Sequence, residues 1–120
     1  MRRVLTVDAV ACAGMALLLL VFAGWAAPHL GLSPDLLRGG GIVLVPWTAF
    51  LVFALAQSAI SRSLVMAVIV GNLAWVAASL GLLVSGRVDP TVLGTVFVLL
   101  QAAVVLVLTW VQVNGRSRLP

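Results

Sequence analysis

The stretch "LVMAVIVGNLAWVAASLGLLV", residues 64–84, decides the fold class. It holds no charged residue. At a helical rise of about 1.5 Å per residue it is long enough to cross a hydrocarbon core of about 30 Å. Lipid offers no partner to open backbone, so such a segment closes its own N–H and C=O groups as a helix. Three more runs of similar length and composition accompany it, at residues 4–27, 41–60 and 91–113. The prediction is an all-α integral membrane protein: a single transmembrane domain over residues 1–120, its four helices joined by short loops into a bundle.

Composition agrees. The chain is 63% hydrophobic and 8% charged, where soluble domains carry about 25% charged residues. A soluble protein of 120 residues could not hide that much apolar surface. The net charge of +4 comes from seven arginines with no lysine. They sit at the ends of the apolar runs, which suits membrane topology and argues against nucleic-acid binding. Arg2, Arg3, Arg62, Arg116 and Arg118 fall on one side, Arg38 and Arg87 on the other. That asymmetry predicts both termini in the cytoplasm. Residues 1–27 superficially suit a signal peptide, but the apolar run is long, Asp8 interrupts its start and three more spans follow. They are read as a span.

The breaks between spans carry helix-start signals. Ser33-Pro34-Asp35 and Asp89-Pro90-Thr91 each offer a capping side chain followed by proline at the first helical position. The second helix is expected to start near Pro34, to bend at Gly39-Gly40-Gly41, and to kink again at Pro46, whose ring removes a backbone hydrogen bond.

Why does the deciding stretch contain an asparagine? Asn72 lies eight residues beyond Leu64, about 12 Å into the core, and Gln101 reaches a similar depth from the other side. Asp8, Gln57 and Gln112 lie nearer the cytoplasmic ends. Helical spacing groups these residues on faces: Asn72, Trp75 and Ser79 on the third span; Gln101, Val105, Leu108 and Gln112 on the fourth; Trp47, Phe50, Ala54 and Gln57 on the second; Asp8, Cys12, Met15 and Leu19 on the first. Turned inward, they make an aromatic and amide interior that opens towards the cytoplasm near Asp8. Asn72 is then expected to pair with Gln101, Ser79 or a neighbouring chain.

Candidate ligand-binding residues are therefore Asn72, Trp75, Ser79, Gln101, Gln57, Phe50 and Trp47. For the amides the plain alternative is interhelical pairing, at about 0.6 kcal/mol per bond. Asp8 is read in two ways. It is the one ionisable side chain within the spans, and so a candidate coupling group; alternatively it is a carboxylate paired with Arg2, Arg3 or Arg62. Trp75 is unusual so deep and needs an acceptor for its indole N–H. One cysteine and one histidine supply neither a disulfide nor a metal centre, and no cofactor is expected. No nucleophile with a base, metal cluster or carboxylate pair is visible, so the chain is expected not to be an enzyme.

The size and the acid in the first span invite comparison with small multidrug resistance transporters, and Asn72 with small fluoride channels, but neither family's signature residues occur. The elements "RRVLTVDA", "LLRGGGIVLVPW", "GNLAWVAAS" and "PTVLGTVFVLLQA" touch all four spans. Through them the chain resembles a group of uncharacterised short four-span bacterial integral-membrane proteins. The resemblance implies an inner-membrane location and carries no activity.

Two functions follow as expectations. One is the binding of a hydrophobic or amphipathic molecule, lipid- or quinone-like, in the interior, with transport as an extension. Four helices alone enclose little space, so a path across the membrane calls for a homodimer or larger complex. The other is a structural or assembly subunit packing through Gly71, Ala74 and Ala78. Partners in either case are membrane lipids and another membrane chain.

Overall fold

The computed structural model describes residues 1–118. Within them the chain forms five α-helices and a terminal 3₁₀ turn, with no strand. They are α1 (Arg2–Val21), α2 (Ala23–Leu30), α3 (Pro34–Ala56), α4 (Arg62–Val84) and α5 (Val92–Gly115). Four apolar segments are long enough to cross a membrane: α1, α3, α4, and α5 with its terminal turn. This is a multi-pass membrane protein built as a helical bundle. Its apolar side chains point outward in large numbers, among them Val10, Leu17, Val70, Leu100 and Val107, as a lipid-facing surface requires.

The bundle is two hairpins. α1 packs along α3, and α4 along α5. One apolar cluster, around Leu19, Ala23, Leu30 and Leu44, fills the end near the α2–α3 loop. A second, around Leu5, Leu51, Val65 and Val68, fills the opposite end.

The first run differs from its sequence reading as one span. It bends at Phe22, where φ is −105° and ψ 13°. The hydrogen bonds Phe22 N–H to Leu18 C=O and Ala26 N–H to Phe22 C=O persist through the bend. Beyond it α2 buries Ala23, Ala26, Ala27 and Leu30. Gly31 then ends α2 at φ 68°, a conformation that costs glycine little. α3 runs without interruption from Pro34 through the three glycines and Pro46 to Ala56.

Caps explain the helix starts. Ser33 Oγ accepts from Leu36 N–H at 3.1 Å, with Pro34 at the first helical position, as its sequence implies. At α5 the cap is Thr91, not Asp89. Its hydroxyl accepts from Gly94 N–H at 3.1 Å and donates to His29 C=O at 2.7 Å. Thr91 wins because one hydroxyl serves both helix ends. Gly94 is needed beside it: a Cβ there would overlap the Leu30 carbonyl, so α2 and α5 meet backbone to backbone.

Candidate functional site: a laterally open cavity with a carboxylate at one end

α4 and α5 each turn one stripe of polar residues towards α1 and α3, and the structure resolves these residues into two hydrogen-bonded layers. In the inner layer Asp8 is 1% exposed. Its Oδ2 accepts from Asn72 Nδ2 at 2.9 Å and from Gln112 Nε2 at 2.8 Å. Asn72 Nδ2 also donates to Gln112 Oε1 at 3.2 Å, and the Cys12 thiol donates weakly to Asp8 Oδ1 at 3.5 Å. The carboxylate fixes both amide orientations, because either carbonyl turned towards it would repel. The layer ties α1 to α4 and α5, joining the two hairpins.

The outer layer lies within the second hairpin. Trp75 Nε1 donates to Gln101 Oε1 at 2.7 Å. Gln101 Nε2 donates to Ser79 Oγ at 3.0 Å and to Val98 C=O at 2.9 Å. Ser79 in turn donates to Trp75 C=O at 2.8 Å. Every polar hydrogen in this group has an acceptor.

These pairings differ from the sequence expectation. Asn72 meets Asp8 and Gln112, while Gln101 and Ser79 pair with Trp75. Counting along each helix places Asp8 six residues from the start of α1 and Asn72 ten from the start of α4. The difference is about 6 Å if the helices stand upright and level; their tilt and stagger remove it. Nor does Arg2 turn to Asp8. Its guanidinium caps the end of α3, donating to the carbonyls of Leu55 at 2.5 Å and Gln57 at 2.9 Å. The ion pair among the described residues is the surface pair Arg38–Asp35 at 3.9 Å.

A carboxylate at the centre of a span costs about 3 kcal/mol on insertion scales, an upper figure for Asp8, which lies nearer an end. Two charge-assisted bonds of about 1.5 kcal/mol or more each, from Asn72 and Gln112, offset such a cost. Gln112 was legible as part of the fourth-span stripe. Its partnership with Asp8 was not.

Between the hairpins lies a cavity of about 890 Å³. Its walls are apolar and aromatic: Cys12 and Met15 from α1, Trp47 and Phe50 from α3, Phe97 and Leu108 from α5. Asp8, Asn72, Trp75 and Gln101 supply its polar groups. Trp47 and Phe50 stack with ring centroids 5.5 Å apart. A Cβ at Gly71 would collide with the Trp47 indole, so this glycine lets the ring lie against α4. Val43, Pro46, Ala74 and Val104 line the cavity and are exposed on the bundle's flank. The mouth thus opens sideways, at the level of the apolar spans. A second cavity of about 330 Å³ adjoins it beyond the outer layer, sharing Trp75 and Gln101 and reaching Ser79 and Leu82.

Of the residues expected to bind, Trp47, Phe50, Asn72, Trp75 and Gln101 line the large cavity and Ser79 the smaller one. Gln57 stands apart. It ends α3, and its amide donates to Phe53 C=O at 3.2 Å.

Fold and site together define a class: a helical multi-pass membrane protein with a sideways-opening cavity and a buried carboxylate at one end of it. Comparison with protein-family models, curated proteins and solved structures gives no match, so the functional reading rests on the site.

Proposed function

We propose that this chain is a non-enzymatic protein of the bacterial inner membrane, both termini cytoplasmic, that binds a hydrophobic or amphipathic small molecule in the cavity between its hairpins. The observation that carries this reading is the cavity itself. At about 890 Å³ it falls within the range of about 300–1,000 Å³ in which small molecules are held. It is mainly apolar with a few placed polar groups, as such sites are. Its sideways mouth supports entry from the bilayer, where a hydrophobic molecule is concentrated. Pro46 removes the N–H that would serve the Ile42 carbonyl, and we assign it a loosening of α3 beside that mouth. The arginine asymmetry, five against two, supports the orientation.

Native mass spectrometry of the full chain in mild detergent tests the reading. It is expected to retain a small molecule on the wild type and less of it on Asn72→Leu. Protein free of any bound molecule, in monomer and dimer alike, would count against it. The same spectrum reads the expected homodimer.

Assembly into a larger complex is the second reading. It is supported by Ala74 and Ala78, small exposed residues on one face of α4. Gly71 no longer belongs to that face, because it is occupied by Trp47 of the same chain. An unrelated chain retained in the spectrum, with an empty cavity, would favour this reading.

A further inference from the structure

The donors and acceptors at the Asp8 end of the cavity are unbalanced, and the imbalance specifies a ligand. Both hydrogens of Asn72 Nδ2 are engaged, one by Asp8 and one by Gln112. Gln112 is fully buried and sits behind the carboxylate, outside the cavity lining. The amide and indole N–H groups of Gln101 and Trp75 are engaged within the outer layer. Two oxygens at this end keep acceptor capacity. Asp8 Oδ1 receives only the weak thiol bond. Asn72 Oδ1 accepts no hydrogen bond among the described residues. Since no enclosed polar side-chain atom among the described residues lacks a partner, that oxygen is not fully enclosed, and Asn72 lines the cavity.

We infer that this end of the cavity binds a protonated amine carried on an apolar chain, its ammonium donating to Asp8 Oδ1 and Asn72 Oδ1. The inference rests on the cavity-binding reading and narrows it. Charge points the same way as the hydrogen bonds. Amides lower the cost of a carboxylate but leave its charge, and an ammonium cancels it. The faces of Trp47, Phe50 and Trp75 add attraction for a cation and apolar contact for its chain. A quinone, whose polar groups only accept, has no donor to offer either oxygen at this end. Trp47 Nε1 is an indole donor with no hydrogen bond among the described residues, but it belongs to the aromatic wall of the cavity rather than to the carboxylate layer.

The test compares n-decylamine, n-decanol and a benzoquinone substituted at all four ring carbons, one of them by a decyl chain, so that it does not add to the thiol, on the full chain in neutral detergent at pH 7, where a primary amine is protonated. Cys12 is the one cysteine in the sequence and lines the cavity, so each probe is scored by the concentration that halves Cys12 labelling by N-ethylmaleimide. Decylamine is expected to protect at a concentration at least tenfold lower than decanol. Asp8→Asn is expected to abolish that preference, read as the ratio of the decylamine and decanol concentrations within the variant, so that any change in the intrinsic reactivity of Cys12 cancels. Equal protection by decylamine and decanol, strongest protection by the quinone, or a preference that survives Asp8→Asn would overturn the ammonium assignment and leave cavity binding standing. If no probe slows labelling, cavity binding falls as well. Should Asp8→Asn fail to fold, the wild-type ranking decides by itself.

Discussion

The inner and outer polar layers are built from similar side chains and do different work. The outer layer joins α4 to α5 within one hairpin, is electrically neutral, and satisfies each of its own hydrogens. The inner layer joins α1 to α4 and α5 across the two hairpins and is built on the Asp8 side chain. It also leaves acceptors facing the cavity. The contrast separates two uses of polar residues in lipid. A closed network fixes register, whereas an unbalanced one both holds the hairpins together and presents chemistry to a ligand.

The contrast can be broken most severely at Asp8. Asp8→Leu leaves the Asn72 and Gln112 donors without their acceptor, at about 1–3 kcal/mol for each orphaned group. The expected loss is about 3 kcal/mol, read as a lowered midpoint in denaturant or heat unfolding followed by circular dichroism. A change below about 0.5 kcal/mol would mean that the layer does not join the hairpins. Asn72→Leu comes next. It removes one of two bonds to the carboxylate, and about 2 kcal/mol is expected in the same assay. The matching change in the outer layer, Gln101→Leu, orphans the Trp75 N–H and removes the donor to Ser79 Oγ, whose own hydrogen stays on Trp75 C=O, near a region open to the smaller cavity. About 1 kcal/mol is expected, together with a shift in tryptophan emission. If Gln101→Leu costs more than Asp8→Leu, the ranking of the layers is inverted.

Gly71→Ala sharpens the comparison from the cavity side. The added methyl displaces the Trp47 ring, a cost of about 1 kcal/mol because the ring tip can swing. Weakened protection of Cys12 by decanol is the expected readout. The smallest effect is assigned to Gln57→Ala, within about 0.5 kcal/mol, since its amide bonds only to Phe53 C=O at the end of α3. A large effect there would place it in a site where the geometry does not.

Much of this was legible without coordinates. The spans at 64–84 and 91–113 match α4 and α5 to within two residues at either end. Ser33 caps α3 as its Ser-Pro-Asp context implies. The face assignments also hold in space: Asn72 with Trp75, Gln101 with Val105 and Leu108, and Trp47 with Phe50 all line one cavity. Ala54, Gln57 and Gln112 fall outside that lining and Leu19 and Ser79 line the smaller cavity; Gln57 does so because α3 ends at Ala56 and the stripe runs out with the helix. The α5 cap was misplaced by two residues, since the competition between Asp89 and Thr91 is settled by His29, sixty-two residues away.

Span length, hydropathy and helical periodicity are properties of one segment at a time, so the sequence by itself determined the number of crossings and which residues share a helix face. Partner choice is different. Sliding one helix past another by a single turn, about 5.4 Å, exchanges which amide meets which carboxylate, with little change in how either helix suits the membrane. Only the tertiary structure decided that Asn72 belongs to Asp8 and Gln112 and that Gln101 belongs to Trp75. The space left between the hairpins, with its acceptors uncovered, follows from that choice.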